Sequence, residues 1–242
     1  MIKYITILFL VFLCSSSGWS QDEQEDYSSE FVWGINKNTA GGLIGGFTFR
    51  RSRQIGEKLY ESLGLELMNV KHPQESQLRT PTGSSFIFGK LNYLYAFRFQ
   101  YGRELILFRK APQQGVEIKA IAAVGPSIGL LAPYYIEYSP DAGGGFGGNS
   151  VRVAYDPAVH RLDRVLGTGH LFQGVTESDL RIGANLKAGL SFELGTIKSS
   201  VTGFELGALL DAYTQEIELV AGTEHKSIFP TAYITIFYGT RR

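Results

Sequence analysis

Apolar and polar residues alternate with a period of two along most of this chain. The cleanest stretch runs from Leu180 to Gly195. Leu180, Ile182, Ala184, Leu186, Ala188, Leu190, Phe192 and Leu194 fall on one side, and Arg181, Gly183, Asn185, Lys187, Gly189, Ser191, Glu193 and Gly195 on the other. Successive side chains of a strand point to opposite faces, so this is a strand with one apolar and one polar side; a helix would spread both sets around its circumference. The same alternation marks Phe31 to Asn36, Leu43 to Arg50, Leu59 to Val70, Ser85 to Phe99, Val116 to Leu130, Val201 to Tyr213 and Ile228 to Tyr238, which makes eight strands. An even number brings both termini to one side. Links after the second and sixth strands are short (Ser52 to Gly56, Thr196 to Ser199), and those after the third, fifth and seventh are long (Lys71 to Gly83, Leu131 to Asp179, Thr214 to Ser227). Two links depart from this sorting. The one near Asn38 to Gly41 is short for its side, and Gln100 to Gly115 is long for its side. The latter holds Leu105-Ile106-Leu107-Phe108, a strand candidate; with Ser150 to Tyr155 as its counterpart, the count becomes ten.

Alternation alone suits two architectures, a membrane barrel with its apolar face outward and a soluble lipocalin-like barrel with that face inward. Three features favour the membrane. Several stretches reach 12 residues or more, whereas a tilted membrane-crossing strand needs only about 9–11 and an ordinary strand is about 5–6. Glycines recur on the polar side, at Gly183, Gly189, Gly195, Gly203 and Gly207, where a narrow bore would need them to make room for neighbouring Lys, Arg and Glu. Aromatics gather near strand ends, at Phe31, Trp33, Tyr101, Tyr134, Tyr135, Tyr138, Phe237 and Tyr238, as interfacial girdles do. The expected fold is therefore all-β: an antiparallel transmembrane up-and-down β-barrel, with eight strands or alternatively ten. In that fold Arg50, Glu66, Lys90, Arg98, Lys119, Lys187, Glu193, Glu205 and Asp211 point inward. Buried charges persist when paired, so an interior ion-pair network is expected to fill the bore and exclude a general pore.

The N-terminus bears on compartment. Lys3 precedes the apolar run Ile5 to Leu13, followed by Gly18-Trp19-Ser20, with cleavage expected between Ser20 and Gln21. That order is a secretory signal peptide over residues 1–20, and its apolar run is too short for a spanning helix. Residues 21–30 hold five acids and read as a flexible tail; residues 31–242 form the barrel, with a long outer loop at about 131–179. The single cysteine, Cys14, lies in the signal segment, so disulfides and thiolate chemistry are not expected after cleavage. Lys+Arg and Asp+Glu are both 23, which removes the electrostatic argument for nucleic acid. The 29 glycines, 16 Phe and 13 Tyr suit a β protein.

The blocks Tyr101 to Lys110 (YGRELILFRK), Gly125 to Leu131 (GPSIGLL), Tyr155 to Asp163 and Lys187 to Gly195 (KAGLSFELG) resemble a family of uncharacterised outer-membrane β-barrel proteins of Bacteroidota. The resemblance implies fold and location, the bacterial outer membrane, and supplies no catalytic residues. The stretch Ile228 to Tyr238 is similar to the aromatic-ended signal read by the barrel-insertion machinery, although Gly239 to Arg242 follow it.

Chemistry is sparse. His72, His160, His170 and His225 fall in the expected outer loops. His160 with Asp156 or Asp163 and a nearby serine is the one base-and-orienter combination. No metal or phosphate motif occurs, and the glycine-rich run Asp141 to Asn149 lacks a following Gly-Lys-Ser/Thr. No cofactor, metal site or catalytic residue is expected. Val151 to Gly174, expected as a short helix or lid, is the best place for a ligand or protein partner of unknown identity. Arg50, Arg51, Arg53, Arg103, Arg109, Lys110, Lys198, Arg241 and Arg242 map to the periplasmic rim, where they meet outer-membrane lipid phosphates or simply solvent. The leading expectation is a structural or surface-binding barrel; the alternatives are a lipid-modifying outer-membrane enzyme and a soluble periplasmic carrier.

Overall fold

A computed structural model describes residues 27–41, 45–80, 82–109, 115–140, 149–170, 172–194 and 199–242. The signal segment, its Ser20–Gln21 cleavage site, most of the acidic tail, Lys110, Gly195, Lys198 and residues 141–148 lie outside the described residues.

The strands are β1 (Ser29–Asn38), β2 (Gly46–Gln54), β3 (Leu59–Val70), β4 (Ser76–Arg79), β5 (Ser85–Phe88), β6 (Asn92–Phe108), β7 (Glu117–Pro133), β8 (Tyr135–Tyr138), β9 (Val151–Ala154), β10 (Val165–Thr168), β11 (Asp179–Glu193), β12 (Ser200–Ile217) and β13 (Lys226–Arg241). Eight of them, β1, β2, β3, β6, β7, β11, β12 and β13, pair in that order, each antiparallel to the next, and β13 closes onto β1. Closure leaves no unpaired edge, as a barrel surrounded by hydrocarbon requires.

The pairing also fixes the tilt. Following partners from Phe31 through Arg51, Leu63, Tyr101, Val124, Leu186 and Leu210 leads to Pro230 on β13, but Phe31 itself pairs with Thr240. The circuit is displaced by ten residues, 230 against 240. Such a stagger over eight strands tilts them by about 40°, and the paired rows climb toward the loop end on going from β1 to β7.

Sidedness decides between the two barrels. On β1, Phe31, Trp33 and Ile35 are exposed while Val32, Gly34, Asn36 and Asn38 are covered. On β11, Leu180, Ile182 and Leu186 are exposed while Asn185 and Lys187 are buried. The apolar face looks outward on every strand of the ring, the opposite of a lipocalin-like carrier. This is an eight-stranded antiparallel up-and-down barrel of the transmembrane kind.

Several sequence expectations change. Leu105 to Phe108 is the end of β6, because Arg98, Gln100, Gly102 and Glu104 keep one inward phase past residue 99. The long link thereby shortens to 109–116, and the ten-strand alternative falls: Ser150 to Tyr155 supplies only β9, outside the ring. Ser85 to Phe88 is not part of a barrel strand but hairpins with β4. Ser29 and Glu30 belong to β1, not to a tail. Val151 to Gly174 forms β9, β10 and a single 3-10 turn at Leu162–Arg164 in place of a helix. Gly183, Gly189, Gly203 and Gly207 make room for aromatic side chains, not for charges. A Cβ on Gly183 or Gly203 would come 2.9 Å from the Tyr213 or Phe237 ring, and one on Gly189 or Gly207 would come 2.5 or 2.9 Å from the Tyr233 hydroxyl.

At the loop end the bore is closed by an apolar cluster that includes Met68, Val70, Leu94, Leu131, Ile217 and Leu219. Above it the long links fold into a cap with its own core, Phe86, Tyr134, Ile136, Tyr155 and Val165. The cap combines the β10-β8-β9 sheet with the β4-β5 hairpin. The Thr82 hydroxyl donates to the Leu166 carbonyl at 2.7 Å and the Thr168 hydroxyl to the Ser85 carbonyl at 3.1 Å, joining the two.

Gly207 tests the packing. Gly207→Val would drive side-chain atoms into the Ala188 carbonyl of the adjacent strand and the Tyr233 hydroxyl. We expect loss of the heat-modifiable folded species on gels, with the unfolded band alone remaining, whereas the outward Ala208→Val should keep the folded band.

Candidate functional site

Two features stand out once the strands are placed: the charged interior and the folded cap. The interior charges are arranged in tiers. At the end carrying the termini, the Lys119 ammonium lies 3.0 Å from Glu30 and 3.4 Å from Glu117, and Arg241 bridges Glu30 (3.1 Å) and Glu193. Tyr27 roofs this tier from below: its hydroxyl donates to Glu117 at 3.2 Å and its ring lies 4.0 Å from the Arg241 guanidinium. In the middle, Arg50 meets Glu104 at 3.0 Å and also Glu205, while Lys187 reaches Glu66 at 2.5 Å and Glu205 at 3.0 Å. The Tyr233 hydroxyl donates to Glu205 at 2.7 Å. Nearest the loops, Arg98 bonds Asp211 through Nε at 2.9 Å and through its terminal nitrogen, with Glu66 at 3.4 Å. The Ser127 hydroxyl donates to Asp211 at 3.1 Å. Glu66 and Glu205 each contact two cations: Glu205 joins Arg50 to Lys187 within the middle tier, and Glu66 couples that tier to Arg98 nearest the loops.

Eight of the nine charged positions expected inside thus fall in these tiers. Lys90 does not: it precedes β6, within the cap, where it is fully buried with its ammonium 2.5 Å from Glu75 and 4.4 Å from the Tyr93 ring centroid. Burial pushes its ammonium below the ordinary lysine value, and the Glu75 carboxylate opposes that shift. Four further members, Glu30, Glu104, Glu117 and Arg241, were not among the expected set. Phase finds them, since each sits an even number of residues from an inward neighbour (Val32, Arg98, Lys119, Phe237).

The rim set is corrected in two places. Arg50 and Arg241 turn into the bore; Arg51, Arg53 and Arg103 stand on the outer face, and Arg109 donates to the Glu57 carbonyl. The aromatic set changes as well. Phe31, Trp33, Tyr101 and Tyr238 face outward, but Phe237 faces the bore, and Tyr134, Tyr135 and Tyr138 belong to the cap. Phe172 is an outward aromatic that sequence alone did not mark. It has φ 63°, a left-handed value uncommon for a bulky residue, and its exposed ring lies 5.9 Å from that of Tyr95 on the outer wall.

The histidines are dispersed over the loop end. The His160 Nδ1 accepts from the Asp156 backbone amide at 3.0 Å, and its ring packs 4.8 Å from Tyr138. The Asp156 carboxylate accepts from the Ala158 amide, and Asp163 pairs with Arg161. The expected base-and-orienter pair is therefore not assembled: both carboxylates are engaged by other groups. His72 accepts the Gln74 amide on Nδ1, and burial lowers its pKa. His170 is exposed, and His225 lies 3.3 Å from Glu218. Among the described residues, no group of three His, Cys, Asp or Glu side chains is placed to hold a metal.

Arg98 is the sharpest test of the interior. Arg98→Met leaves Asp211 buried without its main partner, and breaking a buried pair costs on the order of 3–5 kcal/mol. Adding Asp211→Leu removes the orphaned charge, so the double variant is expected to recover most of the loss. Urea unfolding of lipid-reconstituted protein measures both, and equal stability of the two variants would refute the coupling.

The chain matches no family model and no curated protein. Among solved structures it is similar to Neisserial surface protein A (TM-score 0.39, 10% identity, 88% of this chain and 96% of that chain covered). It is also similar to Ail, the attachment invasion locus protein of Yersinia pestis (TM-score 0.36, 8% identity, 89% of this chain and 97% of that chain). A structure of Ail in complex with the heparin analogue sucrose octasulfate gives a TM-score of 0.35 at 9% identity, over 89% of this chain and 97% of that chain.

Proposed function

We propose that the protein is an integral barrel of a Gram-negative outer membrane, exported by the signal peptide at residues 1–20, and that it works as a structural or surface-binding element, not as a general pore. The observation that carries this reading is the double closure of the bore, by paired charges through its length and by the apolar cluster at the loop end. An eight-stranded barrel is just wide enough for side chains to fill. Function then falls to the cap, whose own core holds a defined outer surface above the bilayer. Exposed Val151, Val159 and Leu162 lie on that surface beside Arg152, Arg161 and Arg164, a mixed apolar and basic patch suited to a protein or glycan partner. The resemblance of the four sequence blocks supports placement among the Bacteroidota outer-membrane barrels.

A lipid-modifying enzyme is the weaker reading, because His160 is bonded to backbone and, among the described residues, no nucleophile is bonded to it. Fractionation is expected to recover the protein in the detergent-extracted membrane, and planar bilayers containing it should show no steady conductance. Recovery in the soluble periplasm, or regular channel steps, would sink the proposal. His160→Ala should leave the cellular lipid profile unchanged.

A further inference from the structure

The outer wall is not a uniform apolar band. Across β1, β2, β3, β6 and β7 it carries a groove of about 460 Å³, walled by Phe31, Phe49, Leu63, Leu65, Phe99 and Tyr101. Its floor is backbone, at the inward-facing positions Gly64 and Gly125 between the outward side chains. Arg51 lines one end and Pro126 the other. Since the paired rows climb toward the loops from β2 to β7, the groove rises from Arg51 to Pro126. With strands tilted about 40° and about 3.3 Å per residue, that rise is roughly 14 Å, a good part of one acyl chain.

The lower end is cationic in an unusual way. Arg51 and Arg53 both face outward and exposed, two residues apart on β2. Among the described residues neither makes an ion pair or side-chain hydrogen bond. The carboxylate in register with Arg53, Glu61, is taken up by Tyr101, whose hydroxyl donates to it at 2.6 Å, and by Arg103 at 3.5 Å. Two unpaired guanidinium groups therefore stand at the foot of an apolar groove. Arg51 is in register with Phe31, one of the outward aromatics near the terminus-side strand ends. A guanidinium matches a phosphate by two parallel N–H···O bonds, and aromatic residues at that depth mark the headgroup region.

We propose that Arg51, Arg53 and this groove form a site for one anionic glycerophospholipid of the leaflet on the terminus side. The phosphate sits on the two arginines, and one acyl chain lies in the groove up to Pro126. The proposal rests on the membrane reading above.

Native mass spectrometry of the full protein, purified from membranes in mild detergent, stripped of lipid and titrated with dioleoyl phosphatidylglycerol or dioleoyl phosphatidylcholine, tests it. The wild type is expected to retain one phosphatidylglycerol in preference to phosphatidylcholine. Arg51→Ala/Arg53→Ala should lower the retained fraction about tenfold, the loss of roughly one charge-assisted contact. Val124→Trp, which fills the groove and keeps both arginines, should do the same, whereas Lys37→Ala, an outward cation at the other end of β1, should not. A heat-modifiable gel shift confirms that each variant is folded. No retained lipid in the wild type, no preference between the two lipids, retention unchanged in either groove variant, or dimers in place of lipid-bound monomers would each overturn the site. Recovery in the membrane fraction is scored separately, so a membrane-bound protein without this lipid defeats the site alone.

Discussion

Glu66 and Glu205 each touch two cations within a bore about one side chain wide, and one contact of each binds opposite walls of the barrel together, while the other joins adjacent strands. Lys187 on β11 reaches Glu66 on β3; Arg50 on β2 reaches Glu205 on β12. Backbone pairing joins each strand only to its two neighbours. These two ion pairs cross the lumen, so register on one side is read by side chains on the other. Desolvation makes each charge costly alone, and that cost, more than the attraction itself, punishes any slip that separates partners. A one-residue slip would turn every partner outward.

The same constraint explains the distribution of small and aromatic residues. With charges occupying the axis, aromatic side chains must lie close against the inner wall: the Tyr213 ring at Gly183, the Phe237 ring at Gly203 and the Tyr233 hydroxyl at Gly189 and Gly207. Tyr233 does two things there: its hydroxyl lies against Gly189 and Gly207, and the same hydroxyl bonds Glu205. Glycine in these strands is thus a steric allowance for an aromatic one strand or two away, not a relief for charge.

Closure of the bore has a consequence above the membrane. Once the lumen ends in Leu94, Ile217 and Leu219, the links have an apolar base on which to fold. The Tyr134 hydroxyl shows how the cap is knitted: it accepts from the Ile87 amide at 3.0 Å and meets Thr168 at 2.9 Å, so it joins the hairpin to the three-stranded sheet. The outer wall follows a different rule. There hydrocarbon is the solvent, and an unpaired cation such as Arg51 is tolerable only where phosphate or water can reach it.

Strand identity, sidedness and most inward charges were readable from the chain alone, because side-chain direction in a strand is a local property with period two. Arg98, Lys187 and Asp211 needed only their phase. Where phase was not followed far enough, as at Glu104 beyond Phe99, the sequence held the information and a link was expected instead. Other features could not be read that way. Which carboxylate meets which cation depends on a ten-residue stagger that arises only when β13 closes onto β1. Lys90 is buried like its expected companions, but by the cap, through a contact with Glu75 that only loop packing creates. The groove below Pro126 exists because five strands are set side by side at one tilt. The sequence by itself determined the strands and their two faces; tertiary closure decided the partners, since pairing across a lumen joins residues that no local period relates.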